Sequence, residues 1–89
     1  MTVRWTRRAV RDVETHVAYL DQVNPQAART LAVALIEAGD SLVAMPRRGR
    51  PGRVPGTREL LAVSPYVIVY EINGNDVTIL RIWHGRLVT

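Results

Sequence analysis

Residues 65–86 read PYVIVYEINGNDVTILRIWHGR. Two runs rich in β-branched and aromatic residues, YVIVYEI (66–72) and DVTILRIW (76–83), lie on either side of Asn73-Gly74-Asn75-Asp76. Such runs are predicted strands. The Asn-Gly pair takes positive φ at little cost, so the four residues predict a hairpin turn. The first run is almost wholly apolar, as expected of a central strand buried on both faces. Working outward, TRELLAV (57–63) predicts a strand before it, joined through a turn at Ser64-Pro65. Upstream again, PRRGRPGRVPG (46–56) holds three Pro and three Gly in eleven residues and predicts a loop.

The first half of the chain has helical spacing. After a short predicted strand, TVRW (2–5), Thr6 offers an N-cap hydroxyl, and Val10, Val13, Val17 and Leu20 recur at intervals of three and four. Arg7, Arg8, Arg11, Asp12 and Glu14 are expected on the wet face, and His16 is expected to face solvent. Asn24-Pro25 starts a second helix, since Asn caps well and Pro needs no N–H at the first helical position. Ala28, Leu31, Leu35, Ala38 and Leu42 mark its apolar side, with Ala32 and Ile36 widening it. Gly39 is expected to weaken this helix slightly, and Met45-Pro46 to end it. The connection is short, so the helices should form an antiparallel hairpin. The predicted fold is α+β, ordered βααβββ: a small, mostly antiparallel sheet with a helical hairpin packed on one face.

Bulk properties narrow the function. Eighty-nine residues, 47% hydrophobic, suit a single domain over 1–89 with a packed core rather than a disordered tail. No cysteine is present, which excludes a disulfide framework, a thiolate zinc site and a Cys nucleophile, and suits a reducing cytosol. The N-terminus lacks the apolar stretch of a signal peptide, and no run approaches the length of a membrane span, so no membrane partner is expected. All twelve basic residues are Arg. Arg-rich codon usage could account for that choice, but not for the placement. Residues 1–45 carry five Arg and five acids, whereas 46–89 carry seven Arg and three acids, so the net charge of +4 lies wholly in the second half. A localised positive field favours an anionic partner, either nucleic acid or an acidic protein segment.

The ordered series of features resembles the RelE/ParE superfamily of toxins from bacterial type II toxin–antitoxin systems. The resemblance rests on the βααβββ order, the Asn24-Pro25 helix start, MPRRGRPGRVPGTREL (45–60), PYVIVYEI (65–72) and the closing VTILRIWHGR (77–86). It implies a cytoplasmic toxin that inhibits growth and is neutralised by a cognate antitoxin, with promoter DNA contacted only through that antitoxin. Two branches share this fold. One cuts mRNA on the ribosome and the other poisons DNA gyrase; a non-toxic binding module of the same fold is a third reading. No metal or organic cofactor is indicated.

A metal-free ribonuclease needs an acid/base and cations on the phosphate. His84 is the candidate acid/base, with Arg81, Arg86 and Arg58 as candidate phosphate ligands. Strand alternation puts Arg81 with Val77, Ile79 and Trp83, and His84 with Thr78, Leu80 and Ile82, on opposite faces unless a bulge near Gly85 intervenes. The mRNA-cleaving branch commonly carries Arg where this chain has Val67, and an aromatic residue after the last strand where this chain reads GRLVT. The incomplete set favours the gyrase branch. The plainer alternatives are that His84 bonds a backbone group at the strand end and that Arg81 pairs with Glu59 or Glu71. Trp5 and Trp83 are expected to pack, and Tyr66 and Tyr70 to pack with their hydroxyls outward. Arg47, Arg48, Arg50, Arg53 and Arg58 form an acid-free basic segment, either simply solvated or binding the partner, with acidic antitoxin side chains as the expected ligand.

Overall fold

A computed structural model describes residues 1–85. The order is β1 (Thr2–Trp5), α1 (Arg7–Asp21), α2 (Pro25–Asp40), a 3-10 turn (Ser41–Val43), β2 (Arg50–Pro51), β3 (Arg58–Val63), β4 (Tyr66–Asn73) and β5 (Asp76–His84). The strands lie in the order β1-β5-β4-β3-β2. β1 runs parallel to β5 and every other pair is antiparallel. The fold is the expected α+β arrangement with one strand more. Two residues of the arginine-rich loop, Arg50 and Pro51, pair with Glu59 and Arg58.

Local chemistry sets the boundaries. Thr6 has extended φ/ψ (−66°, 157°), and its hydroxyl accepts the Ala9 N–H at 3.1 Å, closing the first turn of α1. The same hydroxyl donates to the Leu80 carbonyl at 3.2 Å. Asn24 caps α2 by accepting from the Ala27 N–H at 3.1 Å, with Pro25 next in line. α2 stops at Asp40, earlier than the Met45-Pro46 boundary suggests. There the chain tightens into the 3-10 turn, and the Ser41 hydroxyl donates to the Ala38 carbonyl at 2.6 Å. Gly74 supplies the positive φ (+59°) of the β4–β5 turn.

The core lies between the hairpin and one sheet face. Leu31, Leu35, Ala38 and Leu42 pack with Ala9 and Val13 against Leu60, Ile68, Tyr70, Val77, Ile79 and Ile82. On α1 the inward stripe is rotated from the expected one. Ala9 is buried, Val10 is exposed, and Asp12 and His16 are half-buried within the stripe. On α2, Ile36 is exposed rather than part of the apolar side.

Gly39 has a role that helix propensity does not reveal. A Cβ there would collide with the Trp5 ring and stand 2.8 Å from Ile79 Cδ1, so α2 meets β1 and β5 only because this side chain is missing. Gly39→Ala would gain about 1 kcal/mol of helix propensity but lose about 1–3 kcal/mol to overpacking. We expect net destabilisation, read as a lower urea midpoint; a raised midpoint would mean that Trp5 moves aside freely.

The two sides of β5 change at a bulge. Val69 pairs with Arg81 and Tyr70 with Ile79, so Leu80 is the extra residue. Core-facing positions therefore shift from Val77 and Ile79 to Ile82. The bulge falls where the β1 ladder ends, as the Thr6 N–H donates to the Ile79 carbonyl at 3.1 Å and the chain turns into α1.

Candidate functional site

Beyond Ile79, β5 has no strand on its β1 side, and α1 takes that place. Asp12 and His16, one turn apart on the same helical face, bracket Ile82. Asp12 Oδ2 accepts the Ile82 N–H at 2.9 Å, and His16 Nε2 lies 2.9 Å from the Ile82 carbonyl oxygen. A carbonyl only accepts, so Nε2 carries the proton in this contact. Asp12 also takes the Arg81 guanidinium, with Nε at 2.7 Å from Oδ2 and a terminal nitrogen at 3.4 Å from Oδ1. Tyr66, opposite His84 in the ladder, stands edge-on between the histidines, with ring centroids 5.1 Å from His16 and 5.3 Å from His84.

Several expectations are corrected here. The partner of Arg81 is Asp12, not Glu59 or Glu71, because Arg81 lies at the β5 edge that α1 covers. Asp12 and His16 face the sheet, not solvent. The bulge sits at Leu80 rather than near Gly85, which reverses the parity. Arg81 falls opposite Val69, away from the core, while His84 joins Tyr66 on the core side. The two are on opposite faces as expected, yet both border one cleft of about 250 Å³ at the strand edge, with Asp12, Thr15 and His16. An edge is reachable from either face.

The remaining candidates lie elsewhere. Arg58 pairs with Tyr70 whereas His84 pairs with Tyr66. Four residues along β4 amount to ~13 Å, and β4 itself stands between the two strands. Arg86 lies outside the described residues. In the β5-edge cleft the Arg81 charge is already matched by Asp12, so a phosphate there would meet a carboxylate beside the guanidinium.

The arginine-rich loop is tied to the sheet from inside. Glu59 is 3% exposed, and both its oxygens are used: Oε1 by the Arg50 guanidinium at 3.1 Å, Oε2 by the Arg53 N–H at 3.1 Å. Arg58 Nε donates to the Gly49 carbonyl at 3.0 Å, and a terminal nitrogen donates to the Arg47 carbonyl at 3.2 Å. The Tyr70 hydroxyl, expected outward, is instead buried under the loop. It donates to the Pro46 carbonyl at 2.7 Å and accepts the Gly49 N–H at 2.9 Å. Arg48 donates to the Ser41 hydroxyl at 2.8 Å. Trp5 packs as expected, its Nε1–H reaching Asp40 Oδ1 at 3.1 Å.

Burial pushes the Glu59 carboxyl up, but the Arg53 N–H, the Arg50 hydrogen bond and the charges of both arginines outweigh it and hold the group below its usual value. A carboxyl depressed in the folded state adds stability above its unfolded pKa, about 4.3. That contribution disappears as pH falls from there through the folded value. We therefore expect wild type to lose stability in this acid window, and Glu59→Gln to lose less of it across the same window while being weaker at neutral pH. Urea midpoints against pH would show this, and parallel curves for the two proteins would refute it.

These features define a small α+β domain: a helical hairpin on a five-stranded sheet with a cationic loop at one end. The family model described as the ParE toxin of the type II toxin–antitoxin system parDE matches residues 3–87. The chain is 43% identical over 85 residues to the putative toxin Y4kP of Sinorhizobium fredii, covering 94% of this chain and 88% of that one. It is 43% identical over 83 residues to toxin RelE2 of Caulobacter vibrioides, covering 93% of each. A solved chain from the chromosomal ParDE TA system of P. aeruginosa superposes with a TM-score of 0.85 at 30% identity, covering 94% of this chain and 95% of that one. The chain belongs to the ParE toxin family of the RelE/ParE superfamily and is the toxin of a type II toxin–antitoxin system. Membership implies an antitoxin partner.

Sequence reasoning missed Asp12 and His16. The available signal was the alternative stripe 9-13-16-20, which also keeps helical spacing and has Asp12 beside it.

Proposed function

We propose that this toxin acts on DNA gyrase rather than by cutting mRNA, and that its antitoxin neutralises it by laying an acidic segment against the arginine-rich rim. The observation that carries the first part is the dispersal of the candidate phosphate ligands. Arg81 is held by Asp12, and Arg58 lies ~13 Å along β4 from His84's ladder partner. Val67, where the mRNA-cleaving branch commonly carries Arg, is buried at 5% exposure and brings no charge to the sheet. The matched model carries the ParE name and the solved neighbour the ParDE name, which supports the same reading, while the Caulobacter relative carries the RelE name. The acidic segment is supported by the charge placement: five arginines and no acid over 47–58.

The test is induced expression followed by two readouts. Intact total RNA together with gyrase-dependent DNA cleavage by the purified chain is the expected result, and His84→Ala should stay toxic. Rapid loss of mRNA that His84→Ala abolishes would overturn the proposal. It would favour the second reading, a ribosome-dependent ribonuclease. One observation speaks for that reading: His16 and His84 border a single cleft on either side of Tyr66.

A further inference from the structure

A second cleft, of about 470 Å³, opens between the arginine-rich loop and the β4–β5 turn. Arg47 and Arg58 line it with Thr57, Pro51 and Ile72, and no carboxylate does. Nearby acids are engaged elsewhere: Glu59 with Arg50 and the Arg53 N–H, Glu71 with the Asn73 amide at 2.9 Å, and Asp76 with the Thr2 hydroxyl. Two cations thus share a cleft that nothing in it neutralises.

The Arg58 fork is already oriented. It has five N–H donors, and two of them are spent on the Gly49 and Arg47 carbonyls, which leaves three. Those two bonds hold the half-buried guanidinium in place, so less freedom remains to be lost when a ligand binds. The Arg47 side chain makes no hydrogen bond among the described residues and can close over a ligand. Gly56, at φ +85°, has no heavy atom within 4 Å of the position a Cβ would take, so the loop backbone does not crowd the cleft.

The walls decide which anion fits. Single-stranded nucleic acid is usually held by aromatic stacking beside the cations. No aromatic side chain lines this cleft, and the adjacent Tyr70 is fully buried beneath the loop. The uncharged walls are Pro51 and Ile72, which suit an aliphatic neighbour of the anion. A planar guanidinium fork matches a carboxylate bidentately.

We propose that this cleft anchors a carboxylate of an acidic peptide, held by Arg58 and Arg47 with an aliphatic side chain of the peptide against Pro51 and Ile72. The proposal rests on the reading that an acidic antitoxin segment covers the rim, and it adds which arginines hold the segment and by which chemical group.

Fluorescence anisotropy of the full chain with a labelled peptide of alternating Leu and Glu tests it at low salt. We expect binding, and a loss of about tenfold for Arg47→Gln and for Arg58→Gln, as for one charge-assisted hydrogen bond. Arg29→Gln, an exposed arginine on α2 outside the loop, should bind as wild type does. A matching Leu/Gln peptide should bind at least about tenfold more weakly. Arg58→Gln could loosen the loop, so Arg47→Gln decides. The proposal fails if the Glu peptide does not bind, if Arg47→Gln leaves affinity unchanged, or if the Gln peptide binds equally well. It also fails if an oligouridylate of equal length binds more tightly at the same arginines. None of these outcomes depends on gyrase, so the toxicity assay and this one can fail separately.

Discussion

Replacing Asp12 with alanine is expected to destabilise the fold by about 3 kcal/mol. One carboxylate serves three donors: the Arg81 Nε, an Arg81 terminal nitrogen and the Ile82 N–H. Hydrogen bonds to a charged group contribute about 1.5–3 kcal/mol each. The pair is partly open, with side-chain exposures of 31% and 16%, so the sum must be discounted for solvent. What keeps the loss large is what stays behind: a guanidinium without its counter-charge and a strand N–H without an acceptor. Asp12→Asn keeps an acceptor for Ile82 and should lose about half as much. A shift in urea midpoint at constant m would measure both. A loss under about 0.5 kcal/mol, as for an ordinary surface ion pair, would show that Asp12 does not hold the β5 end.

Tyr70→Phe should cost about 2 kcal/mol, although it removes a single oxygen. That hydroxyl joins the Pro46 carbonyl to the Gly49 N–H from a ring that is 0% exposed. Without it, two backbone groups under the loop lose their partner, while the ring still fills its place in the core. The damage should therefore be local. Amide exchange over 46–56 should accelerate more than exchange in β4, because the loop can open without global unfolding. Equal acceleration in loop and strand would mean that the hydroxyl supports the whole fold rather than the loop.

The elements were legible because their signals are local. Thr6 and Asn24 mark caps, Gly74 marks a turn, and β3, β4 and β5 have the composition of strands. A two-residue strand such as β2 has no period to detect, and its pairing depends on Glu59 drawing the loop in. The Leu80 bulge is invisible for a related reason. Alternation counted along a sequence assumes that no residue is skipped, and a bulge breaks the count without a distinctive residue. Asp12 and His16 were hidden by their polarity. Polar side chains on a helix are ordinarily assigned to water, and only the unpaired strand edge beneath them reveals another use. The sequence shows that Arg81 needs a partner, but the acids nearest in the predicted sheet are Glu59 and Glu71, and the one that pairs with it comes from α1.

The way α1 seals β5 bears on the molecule's solubility. Leu80-Arg81-Ile82-Trp83 is an apolar-rich ribbon whose outer hydrogen-bonding groups would otherwise be open to another chain, the usual starting point for edge-to-edge aggregation. A helix supplies one acceptor and one donor there but offers no further edge, so stacking of copies ends at that side. A variant in which α1 lifts away should be recovered as assemblies built on this ribbon, and light scattering would register them before the melting curve moves.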